Sequence, residues 1–323
     1  MNIDLTTPAF DRVNIHPLPD GQLAIRPGLR KVHEPDSGRI FVGAKSINCP
    51  TTGEVWHYLV DAKNTAAPDV RIVVLDESFT VLQELSVYAS AVPRAATFAA
   101  GDGELLIASP DFPTVWGYLG GFLQVAEKVA SVNPGTTAIA IPRGLAVMWA
   151  GRAVIADRGL LFFSDPIAGG GSPRTFVGGN VLLGDWASEI YGLHVSAEGA
   201  LIVAAGGGIY ALPEDAAATG QQVRGVWSKL NDLVVTDYDT TAYARGAVWG
   251  LTRKGLRQVY PAGSELLLDQ QAINRRLSRR ISSNDYRRGR LYGSELGPLV
   301  SVDNALHVLD EATAHRPWSN APN

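Results

Sequence analysis

The sequence predicts an all-β fold, a β-propeller of about six four-stranded blades, and three observations carry that prediction. The first is strand grammar. Leu145 to Trp149, Ala153 to Ala156 and Leu160 to Phe163 are short apolar runs separated by Ala150-Gly151-Arg152 and Asp157-Arg158-Gly159. Glycine reaches positive φ without a steric penalty, so these spacers read as tight hairpin turns. The runs are too short for helices and rich in β-branched and aromatic residues, which makes them antiparallel strands of a meander. The second observation is repetition: similar groups begin near residues 38, 97, 143, 189, 232 and 289, at offsets of 59, 46, 46, 43 and 57. A period of about 40 to 50 residues holding four short strands is the spacing of propeller blades. The third is the near absence of helical periodicity; the best window, Ser264 to Leu277, suits one short helix or a connecting loop. Six blades fit most easily, and seven fit if residues 1 to 35 and a terminal strand complete another.

Taken in order, residues 1 to 35 are dominated by turn formers, Pro8, Pro17, Pro19-Asp20-Gly21, Pro27-Gly28 and Pro35, and form an irregular N-terminal arm or a closing strand. Residues 36 to 323 form the propeller. Its first group holds Arg39 to Ala44, Val55 to Asp61, Arg71 to Asp76 and Val81 to Val87, with a hairpin at Asp76 to Phe79. The second holds Glu104 to Ala108, Val115 to Leu119 and Phe122 to Ala126, joined by Gly120-Gly121; Thr137 to Ile141 then leads into the meander described above. The fourth holds Glu189 to Val195, Ala200 to Ala204 and Gly208 to Leu212, and the fifth Asp232 to Thr236, Thr241 to Ala244, Ala247 to Leu251 and Leu256 to Tyr260. The sixth runs from Gly289 to Leu309.

Hydrophobic content of 46% and charged content of 19% fit a folded globular chain with a lightly charged surface. A net charge of −4 gives no reason to expect general affinity for nucleic acid or membranes. The N-terminus lacks a basic start followed by an apolar stretch, and no run approaches membrane-spanning length, so a soluble chain made without a secretion signal is expected. Cys49 is alone, which rules out an intramolecular disulfide and a cysteine zinc site within one chain.

Signs of catalysis are weak. The six histidines, His16, His33, His57, His194, His307 and His315, show no paired spacing that would grip a metal. Gly206-Gly207-Gly208 falls between strands rather than opening a helix, so it is no phosphate cradle. Glu214/Asp215 and Asp237/Asp239 read as solvated turn carboxylates, and Phe163-Ser164-Asp165-Pro166 lacks the glycine and tryptophan that would complete a sialidase Asp box. No catalytic residue, metal ligand or cofactor is expected, and the chain is read as not an enzyme. The tryptophans Trp56, Trp116, Trp149, Trp186, Trp227, Trp249 and Trp318 are read as core packing, with a ligand-binding platform as the competing assignment.

One segment departs from the mild charge balance. Between 274 and 290, Arg275, Arg276, Arg279, Arg280, Arg287, Arg288 and Arg290 face Asp285 alone, a local charge of +6. Guanidiniums pair bidentately with carboxylates and phosphates, so this loop is expected to bind an acidic protein surface or a nucleic-acid backbone.

Several phrases are similar to the β-propeller tail hub and nozzle proteins of short-tailed bacteriophages, the family of tail tubular protein B and the DNA-stabilisation proteins. They are Gly21-Gln-Leu-Ala-Ile-Arg-Pro-Gly-Leu29; Gly151-Arg152 followed by Leu161-Phe-Phe-Ser-Asp-Pro166 and Pro173-Arg-Thr-Phe176; Gly207-Gly-Ile-Tyr-Ala-Leu212; and Gly250-Leu-Thr-Arg-Lys-Gly255. The resemblance spans roughly residues 10 to 260. It implies a structural virion protein made in the host cytoplasm, forming a six-fold homo-oligomeric ring around the DNA exit channel, joined to other tail or portal-adaptor proteins and touching DNA during ejection. Two other classes stay open at this stage: a carbohydrate- or peptide-binding propeller, and a lactonase- or glycosidase-like propeller enzyme.

Overall fold

The computed structural model describes residues 15–17, 23–25, 38–50, 52–65, 68–101, 103–126, 139–166, 174–183, 186, 188–214, 227–244, 246–252, 255–259, 265–266, 290–294, 297–302 and 305–308. They fall into two compact units, Val32–Asp232, and Met1–Lys31 together with Leu233–Asn323. Every regular element among the described residues is a β-strand.

In the second of these units a short hairpin pairs Ile15–Pro17 (β1) with Leu23–Ile25 (β2), inside the stretch read as an N-terminal arm. The larger unit, Val32–Asp232, is a series of antiparallel sheets, each a meander in which sequence neighbours pair. The first is Arg39–Asn48 (β3), Val55–Lys63 (β4), Asp69–Leu75 (β5) and Val81–Tyr88 (β6). The second is Thr97–Gly101 (β7), Glu104–Ala108 (β8), Val115–Tyr118 (β9) and Leu123–Val125 (β10). The third is Leu145–Trp149 (β11), Arg152–Asp157 (β12), Leu160–Ser164 (β13) and Phe176–Leu183 (β14). The fourth is Ile190–Val195 (β15), Leu201–Ala205 (β16), Gly208–Leu212 (β17) and Ser228–Asn231 (β18). The other unit continues with Thr241–Ala244 (β19), Ala247–Thr252 (β20), Gly255–Val259 (β21) and Glu265–Leu266 (β22), then a three-stranded sheet of Arg290–Ser294 (β23), Gly297–Val302 (β24) and Ala305–Val308 (β25).

Within Val32–Asp232, the first strands of successive sheets lie side by side, β7 against β11 and β11 against β15. Sheet faces close on one another between these rows. Tyr58, Val60, Val70, Ile72 and Val74 of the first sheet meet Leu105, Ile107, Val115 and Leu123 of the second. The opposite face of the second, with Ala99, Leu106 and Trp116, meets Ala146, Ala153, Ile155 and Phe176 of the third. Alternating side chains of one strand thus serve two different interfaces. That explains why β8, β12, β16 and β17 read as almost unbroken apolar runs, where a sheet with one wet face would alternate. Within this unit the architecture is propeller-like, short antiparallel meanders stacked face to face.

The turns follow the sequence chemistry closely. Trp149 pairs with Arg152, leaving Ala150 and Gly151 at φ of 46° and 69°. Both central residues are left-handed, the hairpin turn whose twist matches that of strands. Gly144 is a stricter requirement: at φ +149°, a Cβ there would lie 1.8 Å from the Ala156 carbonyl oxygen.

Three expectations are corrected. Asp232 to Thr236 is not a strand: although β-branched, it runs without ladder partners and only Val235 buries fully. The sheets also hold strands beyond those expected: β7 opens the second, and β14, β18 and β22 close the third, fourth and fifth. In the helical window, Glu265–Leu266 is a strand residue pair instead; 267 to 277 lie outside the described residues, as does the start of the expected Thr137 to Ile141 strand.

Candidate functional site

Among the described residues, most of the large apolar side chains left in water belong to the first two sheets and their turns. β6 is the outermost strand of its sheet, and its residues alternate between two environments. Leu85 and Val87 turn toward the core shared with the second sheet, whereas Leu82, Glu84, Ser86 and Tyr88 are exposed. The hairpin between β9 and β10 brings Tyr118, Phe122 and Val125 to the surface. Its tight shape is enforced at Gly117, where a Cβ would meet Leu123 Cδ2 at 2.6 Å and the Phe122 carbonyl oxygen at 2.7 Å. Gln83 fixes the hairpin to β6: its amide nitrogen donates to the Leu123 carbonyl at 3.0 Å, and its oxygen accepts from the Leu123 N–H at 2.8 Å. Phe122 is 81% exposed, Tyr88 74% and Tyr118 54%.

The tryptophans behave in the opposite way. Trp116, Trp149, Trp186 and Trp249 are buried, as read from the sequence, and their indole N–H groups are satisfied inside. Trp149 Nε1 donates to the Gly199 carbonyl in the turn before β16, and Trp186 Nε1 to the Gly159 carbonyl in the turn before β13, each at 2.7 Å. Trp56 is half-buried against the first core, and Trp318 lies outside the described residues. No tryptophan platform for sugars is built from the four buried indoles.

Of the arginine-rich loop, Arg290 alone falls among the described residues; Arg275, Arg276, Arg279, Arg280, Arg287 and Arg288 lie outside them. Arg290 opens β23, and its Nη1 donates at 3.3 Å to both Asp239 Oδ2 and the Tyr238 carbonyl. This guanidinium is engaged inside the chain, with about a third of the side chain still open to solvent. Asp239, expected as a solvated turn carboxylate, is instead largely buried at φ +56°. Burial raises its pKa to about 6, against the opposing pull of Arg290, with Asp237 adding to the rise.

Two buried polar networks stand out. In the first sheet, Asp61 is fully enclosed and receives Arg39 Nε at 2.5 Å and Arg71 Nη2 at 2.8 Å; Arg39 continues to Asp69 and Arg71 toward Glu84. Burial works against the Arg39 charge, but its hydrogen bonds to Asp61 and Asp69 outweigh that and raise its pKa. In the third sheet, Arg152 is buried on β12 and donates through Nη1 to the Ser164 carbonyl at 3.0 Å. Burial lowers its pKa while Asp165, also buried, pulls the other way. Ser164 Oγ accepts from the Ala153 N–H, Asp165 N–H donates to the Thr175 carbonyl, and the Arg174 guanidinium lies 3.7 Å above the Trp116 ring. Arg152, Ser164, Asp165 and Thr175 therefore tie the third sheet together, and Arg174 ties it to Trp116 of the second.

The chemistry that remains is sparse. Cys49 is buried against the Leu119 carbonyl and the backbone at Gly120. His57 shares a hydrogen bond of 2.8 Å with Ser46 and stacks on Phe79, and packing lowers His194 to a pKa of about 4. Among the described residues no group of three or more His, Cys, Asp or Glu side chains is arranged to hold a metal ion. No helix among them is long and apolar enough to cross a membrane.

No family model matches the chain. No curated protein matches it either. Solved structures do. It is similar to YCF48 from Cyanidioschyzon merolae at a TM-score of 0.50 and 9% identity, over 90% of this chain and 87% of that one. It also matches YCF48 bound to D1 peptide, at a TM-score of 0.45 and 10% identity, over 88% of this chain and 82% of that one. Raptor from Chaetomium thermophilum aligns at 0.47 and 10% identity, over 90% of this chain and 25% of Raptor. At such identities the first likeness speaks to fold alone, and it agrees with a propeller-like stack of sheets.

Proposed function

We propose that this chain is a binding and scaffolding module, a propeller-like domain that engages a protein or peptide partner through the exposed aromatic rim of its first two sheets. The observation that carries this reading is the division of the aromatics: Tyr88, Tyr118 and Phe122 stand in water while Trp116, Trp149, Trp186 and Trp249 are buried. Tyr118 and Phe122 flank one hairpin, neighbouring exposed apolar groups mark interaction surfaces, and Tyr and Phe are enriched at the centres of protein interfaces. The two hydrogen bonds from Gln83 hold the hairpin against β6, so the rim is organised before a partner arrives. The test replaces Phe122 with a photoreactive phenylalanine analogue and illuminates the protein in lysate of the source. A discrete protein adduct that Tyr118→Ser diminishes is expected. Glycan binding with no protein adduct would overturn this reading in favour of a carbohydrate-binding one.

A narrower reading makes that partner a neighbour in a short-tailed bacteriophage tail, with this chain as a ring subunit of the hub or nozzle. It rests on the sequence resemblance, three of whose phrases, Gly151-Arg152, Leu161 to Pro166 and Pro173 to Phe176, contribute residues to the buried Arg152 network of the third sheet. Mass spectrometry of gradient-purified particles tests it. A fixed ratio to the capsid protein, near about six or twelve copies per particle, is the expected result; absence from particles removes the reading.

A further inference from the structure

Three turns meet at one end of the first two sheets: residues 49–54 between β3 and β4, 76–80 between β5 and β6, and 119–122 between β9 and β10. Asn48 pairs with Val55 and His57 with Leu75, so the first two turns share an end of the first sheet. The third joins them there, because Cys49 Sγ donates to the Leu119 carbonyl at 3.5 Å and a Cβ on Gly120 would lie 2.6 Å from that sulfur. Tyr118, Phe122 and Phe79 are exposed at this end, and Trp56 is half-buried. Phe79 sits at φ 64°, where glycine is unstrained and a bulky residue is an outlier, which points to a use for its ring. The acids here are Glu54 and Glu77, both exposed, with Asp76 and Glu104 half-buried, and none of the three turns holds a lysine or arginine.

The fold itself shows what such a set of groups holds. Arg174 lies 3.7 Å above the Trp116 ring, whose Nε1 donates to Glu104 Oε2 at 2.7 Å, so one indole takes a guanidinium on its face and a carboxylate at its edge. Trp56 repeats the ring and the acid, its Nε1 donating to Glu54 Oε2 at 3.4 Å. Guanidinium stacks on aromatic faces and pairs with carboxylates, a combination that an ammonium ion matches poorly. We infer that the arginine-rich segment, residues 274–290, of a second copy of this chain docks on this end, with guanidiniums over the rings of Trp56 and Phe122 and against Glu54 and Glu77. The inference rests on the reading of the Phe122 rim as a binding surface and names its occupant. Charge selects that occupant: the segment holds seven arginines, no lysine and a net charge of +6, against turns that carry only acids. Arg290 keeps its own Asp239, which leaves the six arginines before it for the contact. Surface and segment are different parts of the chain, so the contact is head-to-tail and each copy offers both halves.

Sedimentation velocity on the full chain tests the inference through two variants that each keep one half of the contact. Glu54→Lys with Glu77→Lys reverses the surface and leaves the segment intact; both positions are exposed in turns, so folding is preserved. Serine at Arg275, Arg276, Arg279, Arg280, Arg287 and Arg288 removes the segment's charge and leaves the surface intact. The wild type is expected to associate as concentration rises and to come apart as salt screens the contact. Each variant alone is expected to self-associate at least about tenfold more weakly than wild type. Mixed together they hold one intact contact between them and are expected to form a one-to-one complex, which a segment folded back on its own copy would not give. A wild-type chain that stays monomeric, variants that associate as the wild type does, or a mixture that forms no complex would each overturn the docking. The Phe122 adduct is read out separately: a chain that stays monomeric while its Phe122 probe captures a different protein would sink this inference and leave the proposed function standing.

Discussion

The first and third sheets each take charge out of water, and they do so in opposite ways. Asp61 is an enclosed anion held by two arginines whose remaining donors reach Asp69 and Glu84 near the surface. Arg152 is an enclosed cation on a backbone carbonyl, with its counter-charge, Asp165, buried beside it. The first arrangement is an open network that solvent completes, whereas the second is sealed. A sealed pair contributes little net stability relative to an apolar pair of the same shape, but removing one half leaves a charge stranded. The difference separates a network that anchors strands β3 to β6 from one that fixes the geometry of a single meander.

The largest effect is expected from Asp61→Ala, which leaves Arg39 and Arg71 facing each other without their anion. Urea denaturation should show a loss of about 3 to 5 kcal/mol. Arg152→Met should cost nearly as much by stranding Asp165, yet the pair Arg152→Met with Asp165→Asn should recover at least about 1 kcal/mol of that loss. If the double change recovers nothing, Arg152 acts through its carbonyl contact rather than its charge, and the contrast with Asp61 disappears.

A subtler contrast is in pH. His194 in β15 titrates near 4 in the fold against 6.5 when free, so the unfolded chain binds more protons between these values and stability falls as pH drops from about 6.5 to 4. Asp239 runs the other way: its pKa is raised to about 6 from 3.8, the folded form holds the extra proton, and stability falls as pH rises from about 4 to 6. Hydrogen exchange, corrected for intrinsic rates, should show β15 and β16 loosening on acidification and β19 and β23 tightening. The smallest effect belongs to the turn beside Arg152. Ala150 sits at φ 46°, so Ala150→Asn should stabilise by up to about 1 kcal/mol, seen as a small rise in melting temperature.

How much of this was legible in the sequence follows from where each residue packs. Strands such as β12 and β16 bury both faces, and their unbroken apolar runs between glycine turns made them visible. Ser228–Asn231 (β18) packs little of itself, carries Lys229, and so gave no strand signal. Asp232 to Thr236 gave a false one, since β-branched residues report a preference for extended backbone but not the presence of a neighbour to pair with. The exposed aromatics are hidden in sequence for a related reason: Tyr118 closes the otherwise buried strand β9 and Phe122 lies in the turn that leads to the edge strand β10, and an aromatic beside a turn looks the same whether the turn is covered or wet. Asp239 looked solvated because its neighbours in sequence are polar, whereas its burial comes with Arg290, more than fifty positions away.

The paired indoles of the third and fourth sheets also make the molecule its own optical gauge. Trp149 reaches into the turn of the fourth sheet and Trp186 reaches back to a turn of the third. Parting those two sheets would wet both rings at once, out of seven tryptophans in the chain. Their emission should shift to the red together, giving a label-free signal for the opening of that one seam.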